Sequence, residues 1–271
     1  MALQDILLHL ENSAAGAVRL DLAISLASAH GAHLKGLSVL SHPYYTPSPG
    51  KAQQSDTDDL QALFLEKTSA AGISAEWLHV DWTVVGVTVT EIITLYAYYA
   101  DLVIVGQPDH SSHSRTIPVD LPERLGLGAG RPILVVPYTG VFSSFERVMV
   151  GWKAGRESVR ALNDAMPFLE QASHVSIVTA SGSGTASDAP DIAGRQITSH
   201  LARHQVTAQQ EELFAPSGFP IGDLLLNHAC DQKMDLLVMG GYAQTRRGAY
   251  VIGPVAAHLL SHMTLPVLIS H

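Results

Sequence analysis

Short apolar runs alternate with helical patterns along the whole chain. In the first half, apolar runs predict strands near residues 5–10, 33–40, 74–80, 101–106 and 132–137, and helices are predicted near 14–30, 56–71, 87–100 and 118–127. The second half gives strands near 147–152, 174–180, 207–214, 235–240 and 266–270, with helices near 156–171, 191–204, 219–232 and 254–263. This alternation is typical of βαβ units, so each half is expected to form a parallel sheet.

The two halves also match each other in sequence. Residues 101–106 (DLVIVG) correspond to residues 235–240 (DLLVMG), and residues 131–136 (RPILVV) correspond to residues 265–270 (LPVLIS), both at a shift of 134. Two separated matches in one register indicate a duplicated domain. The first half ends near Gly140, so we predict two domains, over residues 1–140 and 142–271.

Composition narrows the class of protein. The chain has 271 residues, with 46% hydrophobic and 6% aromatic content, which suits Ala/Leu/Val-rich α/β packing. A formal net charge of −9 opposes a nucleic-acid partner, and no apolar run is long enough to span a membrane. The lone Cys230 lies in an apolar helical pattern, which predicts a buried thiol in a reducing compartment, and the N-terminus does not resemble a signal peptide. We therefore expect a cytoplasmic protein.

The candidate chemistry lies near the end of the chain. After residues 235–240 comes a polar loop with Arg246 and Arg247, then a helical pattern and a final apolar run. In a parallel α/β sheet such a loop lies at the carboxyl ends of the strands, where backbone N–H groups and a helix N-terminus can bind an anion. Gly240 and Gly253 would allow close approach of a phosphate. Ordinary turn and helix-cap chemistry is the alternative explanation for both glycines.

The spacing in this loop resembles a known nucleotide loop. Gly240, two residues, Ala243, nine residues and Gly253 follow the Gly-x2-Gly-x9-Gly-Ser/Thr pattern of the universal stress protein family. Ala243 replaces the second glycine, and Pro254 replaces the hydroxyl residue. The five-strand alternation, the repeated Asp-Leu strand and the proline before each last strand extend the resemblance over essentially the whole chain. The sequence is therefore identified as two universal stress protein domains in tandem.

The resemblance implies a fold and a site. Family members of this type adopt a doubly wound, Rossmann-like α/β sheet with strand order 3-2-1-4-5, and many bind ATP at the carboxyl ends of strands 1 and 4. Carried over to the second half, the nucleotide site comprises Gly240, Ala243, Arg246, Arg247, Gly253, Pro254 and Lys153, the last where the family usually has an acid. Because Pro254 donates neither a hydroxyl nor a backbone N–H, we expect ATP to bind weakly.

The first half is expected to bind no nucleotide. It keeps an acid after its first strand, Glu11, but both later glycines of the loop are absent and Asp120 replaces the hydroxyl residue. A carboxylate beside a triphosphate repels it, and Pro108 and Pro118 each remove a backbone donor. The nucleotide site is thus assigned to the second half.

Histidine pairs are a second candidate chemistry. Three pairs have a spacing that can bring two imidazoles to a metal, namely His200 and His204, His258 and His262, and His110 and His113. Neither helical pair has a third ligand close in sequence, and surface histidines are the alternative, so no metal is expected. His9, inside the first strand, is interpreted as a core residue with its hydrogen bonds satisfied.

Catalytic motifs are absent from the sequence. It contains no Gly-x-Ser-x-Gly elbow, no His-Glu-x-x-His pattern and no phosphate loop ending in Gly-Lys-Ser/Thr. These absences favour a non-catalytic stress-response module that binds an adenine nucleotide weakly in its C-terminal half. The alternatives are a structural or partner-binding stress protein that has lost ATP binding, and a slow ATPase or metal-binding variant.

The resemblance also implies an arrangement of the two domains. Family members commonly pair through the last strand of each domain, which here means residues 133–136 and 267–270. We therefore predict an intrachain pseudo-dimer. A homodimer of the whole chain is a further candidate assembly.

Overall fold

The computed structural model describes residues 2–41, 51–82, 87–107, 118–182, 192–244 and 250–271. The chain divides into two compact units, Ala2–Ser144 and Phe145–His271, which we call the N-terminal unit and the C-terminal unit. Within the described ranges, none of the helices combines the length and the apolar character needed to cross a membrane.

The N-terminal unit is a parallel sheet of five strands with connecting helices. Its strands are β1 (Asp5–His9), β2 (His33–Ser41), β3 (Ala75–Trp82), β4 (Leu102–Gly106) and β5 (Ile133–Val136). Its helices are α1 (Ala14–His30), α2 (Lys51–Ala71), α3 (Val89–Ala97) and α4 (Leu121–Gly128). The strands lie in the order β3-β2-β1-β4-β5, all parallel, which confirms the doubly wound order 3-2-1-4-5.

The C-terminal unit repeats this architecture and adds a hairpin. Its sheet strands are β6 (Arg147–Gly151), β7 (His174–Gly182), β8 (Ala208–Ala215), β9 (Leu236–Gly240) and β12 (Val267–Ser270), in the order β8-β7-β6-β9-β12. Its helices are α5 (Arg156–Leu169), α6 (Ile192–Arg203), α7 (Ile221–Asp231) and α8 (Pro254–His262). Between β9 and α8, the short strands β10 (Tyr242–Gln244) and β11 (Tyr250–Ile252) pair antiparallel.

The acid that opens each repeated strand has the same structural role in both units. The Asp101 carboxylate accepts hydrogen bonds from the backbone N–H groups of Gln4 and Asp5 at 2.8 and 3.1 Å. In the C-terminal unit the Asp235 carboxylate accepts from Glu146 and Arg147 at 3.1 and 2.9 Å. Each aspartate thus joins the start of the fourth sheet strand to the start of the first. The repeat in sequence is therefore a repeat in hydrogen bonding.

Cys230 does not occupy the buried position predicted for it. The buried stripe of α7 consists of Gly222, Leu225, Leu226 and Ala229, whereas Cys230 is exposed. Cys230 lies four residues after Leu226, at the edge of this stripe and in the last turn of α7, where its side chain stays exposed. The prediction of a buried thiol was therefore wrong.

Candidate functional site

In the N-terminal unit, the carboxyl ends of β1 and β4 are filled by a side chain of the unit itself. Arg19, on α1, is only 1% exposed. Its Nε donates a hydrogen bond to the carbonyl oxygen of His9 at 3.1 Å, and its Nη2 donates to the carboxylate of Glu11. A Cβ at Gly106, the last residue of β4, would lie 3.0 Å from the Arg19 Cζ, so the guanidinium leaves no room for a side chain there.

Burial and mutual electrostatic interactions shift the pKa values of Glu11 and His9, which lie beside Arg19. Burial acts to raise the pKa of the Glu11 carboxyl, but Arg19, His9 and the hydrogen bonds from Arg19 and Ser13 together lower that pKa below its ordinary value. Burial lowers the pKa of His9 to about 4, with Glu11 opposing the shift and Arg19 adding to it. At neutral pH the cluster is therefore a buried ion pair beside a neutral imidazole.

His9 is a core residue, as predicted, but its hydrogen bonds are not all satisfied. The residue is 2% exposed. Its Nδ1 has no hydrogen-bond partner among the described residues and lies 3.9 Å from the nearer Glu11 oxygen. The burial of the ring without a full set of partners explains why its charged form is disfavoured.

Of the two helices that start near this edge, α1 has a side-chain cap and α4 has none. Ser13 is the N-cap of α1, and its Oγ accepts from the backbone N–H of Gly16 at 2.9 Å while donating to Glu11 at 3.0 Å. Asp120 precedes α4 and accepts from Arg124 Nε at 2.5 Å rather than capping the helix. Pro108 lies outside the described residues.

In the C-terminal unit, Gly240 ends β9 and is the counterpart of Gly106. A Cβ at Gly240 would lie 2.7 Å from the Glu157 Cβ and 2.8 Å from the Ser158 backbone nitrogen. Helix α5 therefore packs directly on this glycine. Ala161 holds the place in α5 that Arg19 holds in α1, and it is fully buried. Close packing against a helix thus accounts for Gly240 without any phosphate.

Gly253 has a different environment. Its φ of −70° is open to any residue, and a Cβ there would meet only the carbonyl oxygen of Gly241, at 3.7 Å. Gly253 is the N-cap of α8 and makes no side-chain cap, and Pro254 is the first helical residue, as the sequence predicted. Neither backbone conformation nor crowding therefore requires glycine at position 253.

The described residues between β9 and α8 include a hairpin that the sequence did not predict. Ala243 pairs with Val251 in the β10–β11 hairpin, so the position of the second loop glycine lies in a ladder instead of a free polar loop. Tyrosine, valine and isoleucine in the paired segments favour strands, which is the signal that the loop interpretation missed. Arg246 and Arg247 lie outside the described residues.

A cluster of aromatic and basic side chains, which sequence reasoning missed, anchors this hairpin. The His271 ring contacts the rings of Tyr250 and Tyr242, with centroids 4.4 and 5.0 Å apart. Arg156 Nη1 donates to the Tyr250 hydroxyl at 3.0 Å. Burial and Arg156 lower the pKa of His271, and Glu157 opposes the shift. The hairpin is thereby tied to the first turn of α5.

The start of α5 carries an unusual distribution of charge. Its N-cap, Gly155, makes no side-chain cap, and the exposed Lys153 and Arg156 flank it. Basic side chains do not complement the positive end of a helix macrodipole, whereas an anion does. Glu157 is the acid in this first turn. Two exposed basic side chains therefore lie beside the uncapped start of α5, together with the Glu157 carboxylate.

The histidine pairs show no metal centre in the described part of the chain. His258 Nε2 lies 2.6 Å from the Asp223 carboxylate, and the His258 and His262 rings stack with centroids 4.3 Å apart. The rings of His200 and His204 are 4.8 Å apart. Across the described ranges, no group of three or more His, Cys, Asp or Glu side chains is arranged to hold a metal ion. His110 and His113 lie outside those ranges.

Two tandem Rossmann-like α/β units with a glycine-containing loop after the fourth strand define the class of this protein. No protein-family model and no curated protein sequence matches the chain. Solved structures do match over almost its full length. A universal stress protein from Archaeoglobus fulgidus DSM 4304 superimposes with a TM-score of 0.71 at 15% identity, over 98% of this chain and 96% of that one.

Two Pseudomonas aeruginosa proteins give similar matches. A functionally unknown protein of strain PAO1 has a TM-score of 0.69 at 16% identity, over 99% of this chain and 92% of that one. A protein from strain UCBPP-PA14, described as a universal stress protein, has a TM-score of 0.66 at 17% identity, over 99% and 93%. The fold of this chain is therefore that of the universal stress proteins, in the tandem form that the sequence resemblance implied.

Proposed function

We propose that this protein is a non-catalytic, universal-stress-type module whose C-terminal unit binds an adenine nucleotide weakly. The observation that carries the proposal is Gly253, an open glycine at the uncapped start of α8 that neither packing nor backbone conformation requires. A glycine of this kind lets a ligand approach the backbone closely. In the N-terminal unit Val119 stands at the equivalent position, and Arg19 fills the carboxyl end of β4 beside Gly106.

The charge at this edge suits a phosphate chain. Lys153 and Arg156 flank the uncapped start of α5, and the free N–H groups of a helix's first turn bind anions. Arg246 and Arg247 belong to the same proposed site by sequence. Together these groups would supply the positive charge that a nucleotide triphosphate needs.

Three features weaken the site relative to the family pattern. Pro254 supplies neither the hydroxyl nor the N–H of the usual residue. Ala243 is paired in the hairpin, and Gly240 is used in packing against α5. A lost hydrogen bond to a charged group is worth roughly 1.5–3 kcal/mol, or about one to two decades in affinity, so we expect weak ATP binding.

The test is calorimetric titration of the full chain with ATP, comparing Pro254→Ala and Pro254→Ser. Alanine restores the N–H alone, and serine restores both donors, so affinity should rise from the natural protein to Pro254→Ala and again to Pro254→Ser. The matched control is Asp120→Ser, the same position in the N-terminal unit, which should create no binding because Arg19 remains in place. Tight binding that is identical in all four proteins would contradict the proposal.

A partner-binding protein that has lost ATP binding is the second candidate. The internal occupation of the N-terminal site by Arg19 favours it, because that unit retains its fold without a free ligand site. Absence of ATP binding in every Pro254 variant would support this alternative. The intrachain pseudo-dimer, the homodimer and the cytoplasmic location stay predictions.

A further inference from the structure

Three groups of the N-terminal unit surround the Arg19 guanidinium. The carbonyl oxygen of His9 accepts from Nε, the Glu11 carboxylate accepts from Nη2, and Gly106 provides the hollow that the remaining edge of the group occupies. A planar fork with five N–H donors matches such a set of acceptors, whereas an ammonium group is a compact point charge. These groups should therefore favour a guanidinium over an ammonium group by shape, although both cations carry the same charge.

The Arg19 side chain is also almost completely buried. Its side chain is 2% exposed, whereas the arginine side chains of the Arg124–Asp120 and Arg160–Asp164 ion pairs are 60% and 46% exposed. Ser13 donates to the second oxygen of Glu11 and fixes the orientation of the carboxylate. If the guanidinium were removed, the partly buried Glu11 carboxylate, the carbonyl at the end of β1 and the space beside Gly106 would form an incomplete site.

We propose that the N-terminal unit contains a guanidinium-binding site, formed by His9, Glu11 and Gly106, that its own Arg19 occupies. The side chain acts as a tethered ligand at the carboxyl end of β4, whereas the counterpart of Gly106 in the C-terminal unit, Gly240, packs on α5. The N-terminal unit is thus permanently ligated, and external guanidinium compounds are excluded as long as Arg19 is present. This inference concerns the N-terminal unit and is independent of nucleotide binding by the other unit.

The experiment is chemical rescue of Arg19→Ala with methylguanidinium, read as the thermal midpoint of the full chain. At concentrations well above the dissociation constant, ligand linkage should raise the midpoint of Arg19→Ala by about 3 °C or more relative to equal ammonium. The control Arg124→Ala removes an exposed arginine from the same unit and should show no selective shift. The double variant Arg19→Ala with Glu11→Gln should lose the selectivity. A folded Arg19→Ala protein that responds equally to both cations would overturn the proposal.

A second variant tests the site if Arg19→Ala does not fold. Arg19→Lys keeps the charge and the aliphatic stem but lacks the planar fork, so it cannot satisfy His9 and Glu11 together. Its thermal midpoint should fall well below that of the natural protein. A midpoint equal to that of the natural protein would show that any buried cation suffices, and the guanidinium site would be refuted.

Discussion

Equivalent glycines at the carboxyl ends of β4 and β9 lie in different environments in the two units. Gly106 ends β4 and makes room for the Arg19 guanidinium, whereas Gly240 ends β9 and makes room for the backbone of α5. Neither glycine is explained by a phosphate. The same residue type at these equivalent positions thus allows two different packing arrangements. A glycine in a loop motif therefore does not by itself identify a ligand site. The informative position is Gly253, which has no such packing partner.

The starts of α1 and α5 differ in whether a side chain caps the helix. Helix α1 is capped by Ser13, whereas its counterpart α5 begins at Gly155 without a side-chain cap. Helices α4 and α8 both begin without a side-chain cap. The start of α1 is therefore satisfied internally. The start of α5 leaves backbone donors for another group, and this difference between α1 and α5 supports the proposed function.

The largest expected effect comes from Gly106→Ala. The new Cβ overlaps the end of the buried Arg19 side chain, which should cost about 1–3 kcal/mol by overpacking, and the shift of Arg19 away from Glu11 adds to this loss. Urea denaturation should show this loss in the free energy of unfolding. Gly128→Ala is the control, because a Cβ there meets only Thr94 at an ordinary 3.6 Å. Equal stability of the two variants would contradict the close packing at Gly106.

Substitution of Gly240 should reduce stability, whereas substitution of Gly253 should reduce ATP binding. Gly240→Ala pushes a Cβ into the backbone of α5 and should cost about 1–3 kcal/mol, measured by urea denaturation. Gly253→Asp places a favoured N-cap residue in open space, so it should keep or slightly raise stability. Its carboxylate should nevertheless remove ATP binding by repulsion. If Gly240→Ala were fully stable and Gly253→Asp unstable, Gly253 would be the packing position, and the roles proposed for the two glycines would be wrong.

His9 gives the N-terminal unit a dependence on pH. Its pKa in the folded protein, about 4, lies below the ordinary value of 6.5, so the unfolded chain takes up the proton first. Stability is therefore fully present above pH 6.5 and is lost as the pH falls towards 4, by about 2 kcal/mol between pH 7 and pH 5.

The measurement is urea denaturation of the natural protein and of His9→Gln at both pH values. The difference between pH 7 and pH 5 should shrink in His9→Gln and stay unchanged in His204→Gln, which alters an exposed histidine. An equal loss in all three proteins would show that His9 is not the buried titrating group.

The smallest effects concern the helix starts. Ser13→Ala should cost about 1 kcal/mol, because it removes the cap of α1. Gly155→Ser should gain a few tenths of a kcal/mol by installing the missing cap on α5. Thermal unfolding of both variants checks the contrast. A loss of stability in Gly155→Ser would mean that the start of α5 is already satisfied.

The alternation of sequence patterns was sufficient to predict the sheet strands and the helices. Long periodic segments were placed well, and helix α1 (Ala14–His30) has the bounds that the sequence predicted. Helix α2 begins at Lys51, five residues before the predicted start at residue 56. The β10–β11 hairpin was missed because each strand has only three residues and lies within a stretch that reads as a polar loop.

The candidate site was harder to predict, because its key contacts are long-range. Arg19 is one basic residue in an Ala/Leu-rich helix, and only the fold brings it to Gly106. The Arg156–Tyr250 hydrogen bond joins residues 94 positions apart in the sequence. The motif correctly placed Gly253 and Pro254 at the start of α8. It could not distinguish a glycine that packs on a helix from one that stays open.

The most direct test of the account is hydrogen exchange, measured by mass spectrometry on the full chain with and without saturating ATP. Binding at the C-terminal edge should slow exchange in residues 153–158 and 253–257, because the nucleotide would cover the starts of α5 and α8. Exchange in residues 9–19 and 102–107 should not change, since Arg19 occupies that edge. Protection by ATP of residues 9–19 or 102–107, with none at the starts of α5 and α8, would contradict the account.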